Sequence, residues 1–209
     1  MERERERDRS RERHVERLHD ERQMLVDIGR FGVIGLHDLD RRTLAELLKQ
    51  GHAEHYRVLT GEKWTRLDYV KLTASGRCLV RHLKARCEVI QRADKDLHPY
   101  HDVQVYRHYR AAVRTIESRG GSVLRVIHER EYRSGHSQAL WKSKDTLRDA
   151  RAYAEAHGLP FVGGSVQIPD VRILYIDEFG REQKEDIEVV TPNYSAAAIR
   201  AKSSGGFRL

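Results

Sequence analysis

Long hydrophobic runs and cysteines are both scarce in this chain of 209 residues, which has only two cysteines. No apolar run approaches the roughly 18 residues needed to span a bilayer, so no membrane partner is expected. The charged first residues are not followed by the apolar stretch of a signal peptide. Cys78 and Cys87 fall in one predicted helix, and no repeated C-x-x-C pattern indicates a zinc site. We therefore expect a reduced, cytoplasmic protein.

The chain also lacks the P-loop, the G-x-S-x-G motif and the Rossmann glycine pattern. Their absence argues against nucleotide hydrolysis, esterase chemistry and dinucleotide redox work. Charge is abundant instead, with 39 Lys and Arg against 32 Asp and Glu and a net charge of +7. Residues 1–22 are neutral overall, so the basic surplus lies in residues 23–150. A positive field of this kind favours a polyanionic partner, most often nucleic acid.

The pattern of elements predicts three segments, covering residues 1–22, 23–92 and 98–209. The first is charged nearly throughout and is expected to be a frayed helix or a disordered arm. The second has short helices, a hairpin with strands at 53–59 and 67–73, and a closing helix, which together predict a winged helix-turn-helix. The third runs helix, strand, helix, strand, strand, helix, strand, which indicates a mixed α/β domain. The predicted fold class is α+β.

Basic residues of the second segment lie where a duplex would pass. Six residues are candidates for DNA binding. Three lie off the leucine face of the predicted recognition helix, Arg41, Arg42 and Lys49, and three lie at the wing tip, Lys63, Trp64 and Arg66. Phosphate contacts from such residues give affinity for double-stranded DNA that falls steeply with salt. Winged helices also mediate protein contact and dimerisation, so a homodimer and a protein-interaction adaptor stay open as alternatives.

Local signals predict where several elements begin and end. Asp40, Asp102 and Ser143 are the expected N-caps of three helices. Gly51 is placed where a glycine ends the first of these helices. The stretch SVLRVIHEREYR, residues 122–133, is predicted to form a single strand.

An acidic stretch, residues 168–190, carries seven carboxylates. Alternation along its two predicted strands puts Asp170 on one face of the first and both Asp186 and Glu188 on one face of the second. If the strands pair, carboxylates converge, which is costly unless a cation joins them. Hard oxygen ligands select Mg²⁺ or Mn²⁺, and Asp170 and Glu188 are the candidate metal ligands. Asp186 is either a further ligand or, more simply, an exposed acid.

This order of elements, with Pro169 and Asp170 as the "PD" and Glu188 as the following acid, resembles the PD-(D/E)xK nuclease superfamily. The resemblance implies a restriction-endonuclease-like domain in which a lysine follows the second acid by two residues. That position is Val190 here. Lys202 on the following helix is the candidate to supply the amine, so the catalytic residues that the resemblance implies are Asp170, Glu188 and Lys202.

A second resemblance covers nearly the whole chain and rests on LTASGRCLV, HDVQVYRHYRAAVRTIESRGGSVLRV, PDVRI, DIEVVTPNY and AKSSGGFR. These segments resemble replication-relaxation-type proteins, which are associated with plasmids and other mobile elements. The resemblance implies a DNA-binding protein of such an element. Two activities stay open: a Mg²⁺-dependent DNA endonuclease, or, because Val190 replaces the lysine, a non-catalytic regulator or replication or mobilisation accessory factor.

Overall fold

The computed structural model describes residues 2–60, 65–83, 98–141, 143–190 and 194–209. Its helices are α1 (Glu2–Phe31), α2 (Arg41–Lys49), α3 (Ala74–His82), α4 (Pro99–Ser118), α5 (Glu129–Leu140), α6 (Thr146–Ala156) and α7 (Ala196–Ser204). Its strands are β1 (Ile34–Gly35), β2 (Ala53–Thr60), β3 (Thr65–Leu72), β4 (Ser122–His128), β5 (Phe161–Val162), β6 (Ser165–Val166), β7 (Val171–Ile176) and β8 (Glu182–Ile187). The protein is thus mixed α/β with small antiparallel sheets. Among the described residues, no helix is long and apolar enough to cross a membrane.

The chain divides into two compact units, Met1–Tyr106 and Arg107–Leu209. The division falls inside α4, later than the boundary predicted between residues 92 and 98. Residues 92–97 lie outside the described part of the chain.

The first unit is built on a three-stranded antiparallel sheet with the order β1-β3-β2. The predicted hairpin is confirmed, with Tyr56 opposite Tyr69 and their rings stacked at 5.6 Å between centroids. Fully buried aliphatic side chains from helices and strands form the core of this unit: Ile28, Val33, Ile34, Leu47, Val70 and Val80. Among the described hairpin residues, Val70 near the base is fully buried and Leu59 near the end of β2 is exposed, so the core lies at the base of the hairpin.

Helix α2 begins and ends as the sequence predicts. The Asp40 carboxylate accepts a hydrogen bond from the Thr43 amide at 2.9 Å, which satisfies one of the unpaired donors of the first turn. Gly51 follows the helix with a φ of 70°, a conformation that favours glycine. The cap fixes which face of α2 is buried, and Leu44 and Leu47 lie on that face.

Helix α1 runs through Gly29 without interruption. A Cβ at Gly29 would lie 3.2 Å from Leu72 and 3.4 Å from Val80, so this glycine permits close packing inside a helix. Residues 2–22, expected to be a frayed helix or a disordered arm, belong to α1. Val15 and Leu18 there are exposed, so this part of α1 has little contact with the core.

The second unit is built on an antiparallel sheet with the order β4-β7-β8. An isolated parallel bridge joins Ile187 to Arg208, at the place where the sequence predicts a last strand. Helices α5 and α6 add a second cluster of buried side chains, formed by Tyr132, Tyr153, Ala154, Leu159 and Ile168.

The prediction of a single strand over residues 122–133 is wrong after His128, where α5 begins directly. A capping box explains the abrupt change, since the Glu131 side chain accepts from the His128 amide at 3.2 Å. Glu131 lies in the third position of the helix, where such a box requires Glu or Gln.

Two predicted caps are also wrong. Helix α4 begins at Pro99, so Asp102 lies within the first turn and its amide donates to the His98 carbonyl at 2.9 Å. Proline is well suited to that first position because its fixed φ is helical and no amide is lost. Helix α6 is capped by Asp145, which accepts from the Arg148 amide at 3.0 Å, and not by Ser143.

Candidate active site and nucleic-acid interface

The predicted carboxylate pair lies at one end of the β7–β8 ladder. Val171 pairs with Ile187, so Asp170, just before β7, lies across from Glu188, just after β8. Both residues are buried, with Asp170 9% and Glu188 2% exposed. Backbone amides orient the two acids, because the Asp170 amide donates to Glu188 Oε2 at 3.2 Å and the Val189 amide donates to Asp170 Oδ2 at 2.8 Å.

Lys202 reaches the same point from α7. Its Nζ lies 2.9 Å from Glu188 Oε2 and also donates to the Ile168 carbonyl. The structure therefore brings together the three residues that the sequence singles out, Asp170, Glu188 and Lys202. Val190, at the usual lysine position, is 40% exposed.

Tyr194 is a fourth member of this group to which the sequence assigned no role. Its hydroxyl donates to Glu188 Oε1 at 2.5 Å. Burial and the Glu188 carboxylate raise the pKa of Tyr194, so the hydroxyl keeps its proton and remains a donor at neutral pH. The available signal was its place between Glu188 and Lys202 in the sequence, within the segment DIEVVTPNY.

The electrostatics of the group favour a cation. Burial raises the pKa of Glu188 above its ordinary value, and the neighbouring Asp170 carboxylate adds to the rise. The hydrogen bond from Tyr194 and the charge of Lys202 oppose it. A cation between the two acids would offset the burial and the repulsion that disfavour the charge of Glu188.

The donor set fits one class of metal ion. Two carboxylates match Mg²⁺ or Mn²⁺, which bind through one or two acids and keep waters for substrate phosphates to replace. Within the described residues, no group of three or more His, Cys, Asp or Glu is arranged to hold a metal ion.

The sequence left open whether Asp186 is a further metal ligand or an exposed acid, and the structure pairs it with Arg172. It forms a two-pronged ion pair with Arg172, with distances of 2.6 Å to Nε and 2.8 Å to Nη2. Asp186 is 8% exposed, so the expectation of an exposed acid is wrong. Burial disfavours the charge of Arg172, but the Asp186 carboxylate outweighs it and raises the pKa of Arg172. Asp186 thus neutralises a buried arginine.

The described DNA-binding candidates of the first unit are all exposed. Arg41 and Arg42 lie in the first turn of α2, Lys49 is its last residue, and Arg66 lies in β3. Lys63 and Trp64, the other two candidates, lie outside the described residues.

Arg66 belongs to a cationic cluster on the hairpin that the sequence did not reveal. The Asp68 carboxylate accepts from Arg66 Nε at 2.7 Å and Arg57 Nε at 2.8 Å, and His55 Nε2 lies 2.9 Å away. These cations lower the pKa of Asp68, with the hydrogen bond from Arg57 as the largest cause. We call His55, Arg57, Arg66 and Asp68 the wing cluster. The cluster depends on the register of the hairpin, which places Arg57 opposite Asp68.

No family model matches the chain, and no curated protein or solved structure matches it, so the chemistry of the two surfaces rests on their geometry.

Proposed function

We propose that this chain binds double-stranded DNA and hydrolyses its phosphodiester bonds with a divalent cation. The observation that carries the proposal is the convergence of Asp170, Glu188 and Lys202 at one end of the β7–β8 ladder. These residues come from two strand ends and a helix, and two acids with one lysine are the groups that metal-assisted phosphate hydrolysis requires.

Each residue has a distinct task in this reaction. Asp170 and Glu188 would hold Mg²⁺ or Mn²⁺, whose chemistry when bound would be to polarise a phosphoryl oxygen and lower the pKa of a bound water. Lys202 would offset negative charge that develops on the phosphate, as fixed cations do in such sites. The backbone amides of Asp170 and Val189 hold the carboxylates in place before substrate arrives.

The first unit would supply the affinity for the duplex. Its element order, with α2 before a long hairpin and α3 after it, supports the winged-helix interpretation, in which α2 enters the major groove. The wing cluster is suited to phosphates, since Arg57 and Arg66 are 54% and 56% exposed while their shared partner Asp68 is 9% exposed. Asp68 orders both guanidinium groups and leaves the cluster with a net positive charge.

A second candidate is a non-catalytic DNA-binding accessory factor, with or without dimerisation. Two observations favour it. Glu188 already accepts hydrogen bonds on both carboxylate oxygens and is 2% exposed. Val190 stands where the resembled nucleases have lysine. In this alternative the acid pair and Lys202 only stabilise the fold.

Cleavage of supercoiled and linear DNA in Mg²⁺, Mn²⁺ or chelator separates the two candidates. We expect cleavage that requires the metal and that falls about 100-fold or more in Asp170→Asn and in Glu188→Gln, because each removes charge needed in the transition state. Glu182→Gln is the matched control, since it removes an exposed acid of the same hairpin. Undiminished cleavage in both variants would refute the site, and salt-dependent binding without cleavage would favour the accessory factor.

The wing cluster gives a separate prediction on binding. Arg57→Ala and Arg66→Ala are each expected to weaken binding to any duplex by up to about 10-fold and to reduce the slope of log K against log salt by about 0.9. Arg81→Ala, which removes an exposed arginine of α3, is the control. Fluorescence anisotropy over a salt series measures both the affinity and the slope. Slopes in Arg57→Ala and Arg66→Ala equal to that of the wild type would exclude the hairpin from the interface.

A further inference from the structure

A cleft of 530 Å³ opens on the face of the β4-β7-β8 sheet in the second unit. Its lining includes Arg125 from β4, Leu174 from β7 and Lys184 from β8, with His157 and Gly158 at its edge. Neither Arg125 nor Lys184 belongs to the candidate active site or to the wing cluster.

The register places the two cations in one row across the sheet. Leu174 of the central strand pairs with Arg125 on one side and with Lys184 on the other. Cross-strand partners share a face, so both cations project from the same side of the sheet. The next row holds Arg172 and Asp186, which neutralise each other. Arg125 is also paired, with Glu131, but its side chain is 59% exposed, so the accessible cations of the cleft are Arg125 and Lys184, with the Glu131 carboxylate beside them.

The same register relates this row to the acid pair. Asp170 lies across from Glu188 and is four residues before Leu174, so its alternation puts it on the cleft side of the sheet. At about 3.3 Å per residue, the cationic row is about 13 Å from the acid pair along the strands. Phosphates of one DNA strand recur about every 3.4 Å of helix axis. The row is thus within reach of a phosphate a few nucleotides from one at the acid pair.

Both cations are held in place before a ligand binds. Arg125 Nη2 lies 2.8 Å from Glu131 Oε2, and Glu131 is itself fixed by capping α5. Lys184 Nζ donates to the Gly158 carbonyl at 2.5 Å. The Arg125 side chain is nevertheless 59% exposed, and Lys184 is exposed. An ordered, exposed cation loses little side-chain freedom when a phosphate approaches.

The aromatic residues of the cleft do not form a platform for a nucleobase. Tyr132 and Tyr153 are 6% and 8% exposed, and the Tyr153 ring is covered by the His157 ring at 4.1 Å. A base needs an exposed ring face for stacking. The two tyrosines are therefore not available for stacking, and the exposed cations Arg125 and Lys184 are suited to a phosphate.

We propose that Arg125 and Lys184 bind a backbone phosphate of the DNA strand whose scissile phosphate lies at Asp170 and Glu188. The inference rests on the proposed function and gives that site its substrate class, a nucleic-acid strand that extends several nucleotides past the cleaved bond. It assigns a second DNA contact to the same unit as the acids.

The test is the affinity of the full chain for a fluorescein-labelled duplex in chelator, where no cleavage occurs. We expect Arg125→Ala and Lys184→Ala together to weaken binding about 10-fold and to reduce the salt slope by about 0.9, the value for one lost phosphate contact. Arg181→Ala is the matched control, because Arg181 is 64% exposed and paired with Asp177 as Arg125 is paired with Glu131. A double variant with wild-type affinity and slope would overturn the inference.

A charge-conserving double variant tests for loss of folding, and a competition experiment tests for other ligands. Arg125→Lys with Lys184→Arg keeps both charges and should retain at least half of the salt slope that the Ala variant loses, whereas a loss equal to that of the Ala variant would point to misfolding and overturn the assignment. A deoxynucleoside monophosphate should compete no better than inorganic phosphate, and tight competition would assign the cleft to a small phosphorylated ligand instead. If the wild type binds duplex with this dependence but never cleaves it, the contact stands and the proposed hydrolysis fails.

Discussion

Replacing Lys202 by Met is expected to lower the free energy of unfolding by about 3 to 5 kcal/mol, the cost of leaving a buried charge without its partner. Glu188 is 2% exposed and forms its ion pair with the Lys202 ammonium, 2.9 Å away. The Glu188→Gln, Lys202→Met variant should recover most of this loss. A neutral glutamine side chain at this position could accept from the Asp170 amide with its oxygen and donate its amide group to the Tyr194 hydroxyl oxygen, without needing a cation.

The loss in Lys202→Met should also depend on pH. Burial and Asp170 already raise the pKa of Glu188, and removal of the lysine would raise it further. A carboxyl whose folded pKa is above its unfolded value stabilises the fold when protonated, and that contribution is lost as pH rises through the folded pKa. The deficit should therefore be smaller near about pH 5 than near about pH 8.

Urea denaturation followed by circular dichroism measures these differences. Arg200→Met is the matched control, because it removes an exposed cation from the same helix and should change stability by less than about 0.5 kcal/mol. An equal loss in Lys202→Met and in the double variant would mean that Lys202 stabilises through packing, not charge. Cleavage should be lost in both, since the repaired variant has neither the second acid nor the amine.

Alternation along two adjacent strands singled out Asp170 and Glu188 in the sequence, whereas Lys202 was named only through the resemblance to PD-(D/E)xK nucleases. Alternation predicts that Asp170 and Glu188 meet once β7 and β8 pair, and pairing of adjacent strands is a local event. Strand alternation could not place Lys202, because its distance from the two acids depends on where α7 packs. The position two residues after Glu188, where the resembled nucleases have the lysine, is Val190, which is 40% exposed.

Other features depend on register or on local competition that a single sequence does not resolve. Arg57 and Asp68 are eleven residues apart and become partners only in one register of the hairpin. The change from β4 to α5 at His128 has no glycine or proline to mark it, and only the Glu131 side chain identifies the helix start. A strand pattern that continues past such a start is overruled by the capping hydrogen bonds.

Replacing Asp186 by Asn is expected to cost about 3 to 5 kcal/mol in the free energy of unfolding, because it leaves Arg172 charged, 3% exposed and without an anion. Arg172 also donates to the His157 carbonyl at 2.6 Å and the Gly158 carbonyl at 3.1 Å. These carbonyls follow α6, so the guanidinium joins the end of that helix to the sheet. The ion pair and the helix attachment are therefore held by one side chain.

A double-mutant cycle separates these two contributions. Apolar replacement of a buried ion pair is often neutral, so Arg172→Met, Asp186→Leu should be more stable than Asp186→Asn alone. It should still lose about 1 to 3 kcal/mol relative to wild type, since the His157 carbonyl loses its Arg172 donor and the Gly158 carbonyl keeps only Lys184. Arg181→Ala breaks an exposed pair with Asp177 and should cost less than about 1 kcal/mol. If the apolar pair matched wild type in urea denaturation, the carbonyl contacts would contribute nothing, and Arg172 would serve only to balance Asp186.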